Sequence, residues 1–121
     1  MKFQKPKGTR DFYPDELEAR KQVFARLKTI AEKYGFKEVE TPAFEDLNLL
    51  IAKSGPEIKE QVFNLSKKGG ETLALRPELT PAIARMFISK QKELAKPVKW
   101  YYLTRMWRYE APQKGRLREF Y

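Results

Sequence analysis

The chain contains no cysteine and no histidine. The first absence excludes disulfides and thiolate metal ligands; the second excludes imidazole general bases, Ser-His-Asp triads and His-ligated zinc. Any chemistry must run on carboxylates, guanidinium and ammonium groups, hydroxyls and backbone amides. Long apolar runs are missing too, so nothing in the sequence reads as a membrane span. The opening Met1-Lys2-Phe3-Gln4-Lys5 is polar and basic where a secretory signal would be apolar, which predicts a cytoplasmic protein. No internal repeat, low-complexity stretch or linker divides the chain. Its 121 residues, 41% of them hydrophobic, predict one domain with a modest core.

Positive charge is in excess: 25 Lys and Arg against 16 Asp and Glu give a formal +9. That bias favours a polyanionic partner, with nucleic acid the first candidate. The basic residues are scattered, apart from Lys67-Lys68 and the cluster Lys114, Arg116 and Arg118. Only the second cluster sits beside other functional candidates.

Pro14-Asp15-Glu16 opens a predicted helix whose apolar positions, Leu17, Val23, Phe24, Leu27, Ile30, Ala31 and Tyr34, recur at three- and four-residue steps until Gly35. Phe36 to Glu40 predicts a strand stopped by Thr41-Pro42, and helix and strand together read as a packing unit. Phe44 to Ala52 predicts a weak helix and Ser54-Gly55-Pro56 a break. Gln61 to Leu65 and Glu71 to Arg76 read as the arms of a hairpin turning at Lys67-Lys68-Gly69-Gly70. Thr80 is placed to cap a helix with Pro81 in its first turn, Lys96-Pro97 breaks that helix, and Lys99 to Glu110 predicts the longest strand. Helices mixed with mostly antiparallel strands make the class α+β.

Two segments carry candidate chemistry. In the first, Arg105-Met106-Trp107-Arg108-Tyr109-Glu110 reads as a strand, Pro112 and Gly115 punctuate a polar turn, and Leu117 to Tyr121 restarts the alternation. Strand side chains alternate between faces, so Arg108 and Glu110 share one, and Arg118 and Phe120 match them on the return strand. Guanidinium for phosphate, carboxylate for an exocyclic amine and a ring for stacking suit a nucleotide. A solvated edge hairpin with cross-strand ion pairs fits the same residues. In the second segment, Leu75-Arg76-Pro77-Glu78 runs into the helix at Thr80, and Pro77 rigidly fixes the backbone between a cation and an anion.

These stretches resemble the histidyl-tRNA synthetases, which are class II aminoacyl-tRNA synthetases, over Lys7 to Tyr121. The resemblance rests on Lys7-Gly8-Thr9-Arg10-Asp11, on Val39-Glu40-Thr41-Pro42, on Leu75 to Thr80, and on Trp107-Arg108-Tyr109-Glu110 through Gln113-Lys114-Gly115-Arg116 to Phe120. It places motif 1 near residues 20–42, an Arg-Pro-Glu segment at 75–81 and motif 2 at 105–121. The wording is closer to archaeal and eukaryotic members than to bacterial ones. The resemblance implies that residues 1–121 are the N-terminal part of a catalytic domain, with motif 3, the insertion domain and the anticodon-binding domain outside them. It follows that exposed strand edges would promote dimerisation or aggregation.

The implied activity is ATP-dependent activation of histidine to histidyl-adenylate, followed by transfer to the tRNA acceptor end. By resemblance, Arg108 clamps the α-phosphate and the amino-acid carboxylate, and Glu78 and Thr80 hold the histidine α-ammonium group. Glu110, Arg116 and Phe120 join Arg108 in binding ATP, and Gln113, Lys114 and Arg118 touch tRNA. Pro42 lies at a homodimer interface. Mg²⁺ accompanies ATP, and no protein metal ligand is assigned within this sequence. Three other readings are a synthetase-like regulatory subunit of histidine biosynthesis, a non-catalytic RNA-binding or dimerisation module, and a plain structural fragment.

Overall fold

The fold starts from a long helix with well-defined ends. In the computed structural model, which describes residues 1–65 and 69–121, helix α1 spans Pro14–Lys33 with Pro14 at its start and Asp15 and Glu16 in its first turn. Proline loses nothing there, because the first helical amides lack partners, and the two carboxylates favour the positive end of the helix dipole. At the other end Gly35 takes φ 83°. Its amide donates to the Glu32 carbonyl and the Phe36 amide to the Ala31 carbonyl, both at 3.0 Å, which is a glycine-terminated helix stop.

Strand β1 (Lys37–Glu38) follows, then β2 (Phe44–Asp46), α2 (Leu47–Ser54), a 3-10 turn (Pro56–Glu60), β3 (Leu73–Leu75) and α3 (Thr80–Lys90). Three short strands complete the order: β4 (Trp100–Tyr101), β5 (Met106–Trp107) and β6 (Glu119–Phe120). The class is α+β. β2 pairs antiparallel with β3 and β5 with β6, while β1 runs parallel to β4. Leu47, Leu50, Ile58, Val62 and Ala74 form the small core, with Ile51 packed against it.

Several expectations change. Phe44 to Asp46 is strand and not the first turn of a helix, because it pairs with Leu73–Leu75 across the chain. Asp46 then caps α2 by accepting the Asn48 amide at 2.9 Å, so the helix begins three residues late. The long strand at Lys99 to Glu110 is broken: Trp100–Tyr101 pairs with β1 and Met106–Trp107 with β6, so the segment changes partners midway. Gln61 to Leu65 pairs with β3 at a single bridge, Asn64 to Ala74. The turn expected at Lys67-Lys68 lies outside the described residues. Thr80 is the first residue of α3 and its side chain does not cap it. Leu79 takes the cap position instead, and the Ile83 amide is taken by the Leu79 carbonyl at 2.9 Å.

Helix α1 is also a less complete packing unit than its periodicity implies. Leu17, Phe24 and Ala31 are half-buried, and Phe24 meets Tyr121 at 4.9 Å between ring centroids. The adjacent row, Val23, Leu27, Ile30 and Tyr34, is 48–66% exposed. The apolar stripe is wider than the surface it covers.

Arg76 binds these parts together. It is only 5% exposed, and its Nη1 donates to the carbonyls of Thr41 at 2.6 Å and Pro42 at 3.1 Å. Nε donates to the Arg105 carbonyl at 2.8 Å and Nη2 to Thr104 Oγ1 at 2.5 Å. The nearest carboxylate, Glu40 at 3.3 Å, is itself mostly exposed. The buried cation is therefore held chiefly by backbone oxygens from two distant segments, while its own carbonyl accepts the Trp107 amide at 3.0 Å. Arg76→Met leaves these oxygens unpaired and should cost about 3–5 kcal/mol in denaturant-induced unfolding. Arg76→Lys should recover only part of that, since one ammonium cannot span the same acceptors. A loss below about 1 kcal/mol for Arg76→Met would remove Arg76 from this role.

Candidate functional site

The β5–β6 hairpin fixes the first half of the site. Met106 faces Phe120 and Trp107 faces Glu119 across the pair, and the Arg108 amide extends the ladder to the Arg118 carbonyl at 2.9 Å. The alternation expected from sequence holds at its base, where the Arg108 guanidinium lies 5.5 Å from the Phe120 ring centroid. On the opposite face Trp107 Nε1 donates to Glu119 Oε2 at 2.8 Å. At the tip, Gln113 and Arg116 exchange two backbone hydrogen bonds around Lys114 and Gly115. Lys114 and Gln113 are exposed there.

Arg118 leaves the face that simple alternation assigns to it. Its guanidinium stacks 4.3 Å from the Tyr109 ring centroid, and its Nε donates to the Glu110 carbonyl at 2.7 Å. The cause is the N-terminal loop: the Gly8 carbonyl accepts the Arg118 amide at 2.7 Å and, more weakly, the Glu119 amide at 3.4 Å. A Cβ at Gly8 would sit 2.7 Å from Arg118 Cγ, and Gly8 has φ 80°. Only glycine fits both the space and the backbone. Glu110, freed from Arg118, comes within 3.8 Å of Arg116 Nε through its carboxylate.

The second half comes from the Arg-Pro-Glu segment, which sends its two charges apart. Arg76 turns inward to the backbone, whereas Glu78 turns toward the hairpin. Arg108 Nε donates to the Pro77 carbonyl at 3.1 Å, which ties the guanidinium to the residue before Glu78. Among the described residues, its two terminal amino groups have no protein partner. Glu78 and Arg108 line one cleft of ≈ 160 Å³ together with Ser54, Glu57, Gln61 and Pro77. The cleft carries one cation and two carboxylates, and among the described residues neither Glu57 nor Glu78 is paired with Arg108.

Glu78 is instead held by Lys53 of α2, whose Nζ lies 2.9 Å from Oε1 and 3.2 Å from Oε2. Sequence reasoning missed Lys53, because only the fold brings it to Glu78 from across α2. Thr80 is not brought into this cleft. It lines a separate apolar groove of ≈ 470 Å³ between α2 and α3, with Leu49, Ala52 and Ile88. The Pro42 ring is exposed beside the Arg76 hub.

The model of the family described as histidyl-tRNA synthetase matches residues 8–121. The chain belongs to the histidyl-tRNA synthetase family. It is 52% identical over 115 residues to the histidine–tRNA ligase of Haloarcula marismortui, covering 95% of this chain and 26% of that one. It is 49% identical over 121 residues to the enzyme of Archaeoglobus fulgidus, covering 100% and 30%. Among solved structures, histidyl-tRNA synthetase from Nostoc sp. PCC 7120 superposes with a TM-score of 0.83 at 28% identity, over 98% of this chain and 27% of that one. The chain thus spans less than a third of the length of these relatives, and its α+β arrangement is that of a class II synthetase catalytic-core fragment.

Within this family member, the docking of Gly8 onto Arg118 makes a direct prediction. Gly8→Ala should lift the N-terminal loop from the return strand and accelerate hydrogen exchange of the Arg118 and Glu119 amides by roughly tenfold or more. Unchanged protection of both amides would show that the loop does not hold the hairpin.

Proposed function

We propose that the chain is the N-terminal part of the catalytic domain of a histidine–tRNA ligase, with motif 1 near residues 20–42, the Arg-Pro-Glu segment at 75–81 and motif 2 at 105–121. The observation that carries the reading is the cleft shared by Glu78 and Arg108. A free amino acid is a zwitterion, and a fixed carboxylate opposite a fixed guanidinium complements its two ends. Glu78 already grips a primary ammonium group, that of Lys53, so its carboxylate is placed to accept one.

Activation needs no general base, because the attacking carboxylate is ionised at neutral pH. The task is to bring that carboxylate to the α-phosphate of ATP and to stabilise the charge that develops there. Arg108 has the means: Nε is spent on Pro77, so the terminal amino groups would be left to donate to both anions from a fixed position. Phe120, beside Arg108, would stack on adenine, Glu110 would accept from its amine, and Arg116 would close over the phosphates. Mg²⁺ accompanies ATP as a phosphate counter-ion.

Transfer to the tRNA acceptor end would use the hairpin tip, with Gln113 and Lys114 exposed for phosphate contact and Arg118 beneath them. Thr80 would reach the amino acid only from its groove beside Lys53. The exposed apolar row on α1 and the exposed Pro42 support a homodimer, each offering uncovered surface to a second copy. No described helix is long and apolar enough to cross a membrane, and we place the protein in the cytoplasm. Relatives near half identity are histidine–tRNA ligases, which favours this reading over a regulatory subunit of histidine biosynthesis.

The test is histidine-dependent exchange of pyrophosphate into ATP, with and without Arg108→Ala. The variant should lose about 10²–10³ in rate, and Glu78→Gln should chiefly raise the KM for histidine. Calorimetric titration with a non-hydrolysable histidyl-adenylate analogue covers the case in which the chain alone does not turn over. Binding that Arg108→Ala abolishes supports the assignment, and equal binding by both proteins rejects it.

A further inference from the structure

Largely on the face of the hairpin opposite Arg108 lies a second cationic cleft, whose arginines the adenylation chemistry does not use although Phe120 borders it. It measures ≈ 200 Å³ and lies between α1 and β6, with Arg10, Arg20 and Arg105 around Phe12, Glu119 and Tyr121. Arg20 is stacked among rings, 4.4 Å from the Phe12 centroid and 4.6 Å from that of Tyr121. Arg105 lies 5.5 Å from the same tyrosine ring. Arg10 sits 4.5 Å from Phe12 and is paired with Glu16.

Stacking engages the flat face of a guanidinium and leaves its N–H donors free in the plane of the group. Among the described residues, the Arg20 and Arg105 side chains donate no hydrogen bond and pair with no carboxylate. Both are half-buried, so their donors are oriented by packing yet still reachable. The only carboxylate in the lining is Glu119, and its Oε2 is occupied by Trp107 Nε1. With Arg10 paired to Glu16, two uncompensated guanidinium groups face one partly engaged anion, an imbalance that favours an incoming oxyanion.

We propose that this cleft is a phosphate-binding site, with Arg20 and Arg105 as its principal donors. The phosphate can belong to an RNA backbone or be a free anion, since the donor geometry is common to both. The site is distinct from the Glu78–Arg108 cleft, with which it shares no lining residue, and it meets the proposed adenine seat at Phe120.

The test is a titration of isotope-labelled chain with inorganic phosphate at constant ionic strength, following the arginine Nε–H resonances, with a single-stranded RNA oligonucleotide as the second arm. Arg20 and Arg105 resonances should move saturably. Arg105→Gln removes one principal donor and leaves Arg20 between Phe12 and Tyr121, and it should weaken binding about tenfold. Glu119→Gln keeps an acceptor for Trp107 but removes the opposing charge, and should tighten binding several-fold, a gain that misfolding cannot mimic. Saturation by RNA with the same Arg105→Gln loss identifies a phosphodiester as the source, and saturation by inorganic phosphate alone identifies a free anion. Shifts that chloride reproduces, or binding that Arg105→Gln leaves unchanged, overturn the proposal.

Discussion

A single buried guanidinium organises the molecule. With a core of only a few aliphatic side chains, hydrophobic burial gives this chain little with which to fix the relative positions of its short strands. Arg76 supplies the missing specification by satisfying carbonyls at Thr41, Pro42 and Arg105 at once. None of those carbonyls lies in a named strand, so without the guanidinium each would need another donor. The same residue explains why the stretch between Tyr101 and Met106 abandons strand pairing. Its backbone turns to meet the cation.

The electrostatic layout of the cleft follows from that hub. Because Arg76 is drawn inward, Pro77 presents its carbonyl outward, and Arg108 docks on that carbonyl through Nε. Glu78, one residue further, is set at the edge of the same cleft, and Lys53 holds it there. The two charges are fixed by separate tethers and do not neutralise one another, which is what a zwitterionic ligand requires. An ordinary surface ion pair between them would have closed the cleft.

Much of this was legible in the residues, and the failures have a common cause. Pro14 and Gly35 mark both ends of α1 through local backbone chemistry, and strand parity correctly puts Arg108 beside Phe120. Local rules stop where a distant partner intervenes. Phe44 to Asp46 reads as helix until β3 pairs with it, Arg118 departs from its parity because Gly8 captures its amide, and Arg76 reads as a site cation until its acceptors are assembled. Lys53 carried no signal at all, being an ordinary lysine in the last turn of α2. Thr80 shows a milder version: a good capping residue is idle because the helix starts one residue early and Leu79 takes the cap position.

The contact between Gly8 and the return strand also bears on the order in which the molecule is made. A ribosome delivers Gly8 near the outset and Arg118 only after the intervening elements have emerged. Until then the N-terminal loop has no strand to seat on, and the hairpin has no loop to settle its last register. The Arg76 hub can assemble earlier, since its acceptors end at Arg105. Gly8 and Arg118 stand far apart in sequence, so β6 can seat on the N-terminal loop only at the cost of closing a long loop, a contact that topology makes late and slow.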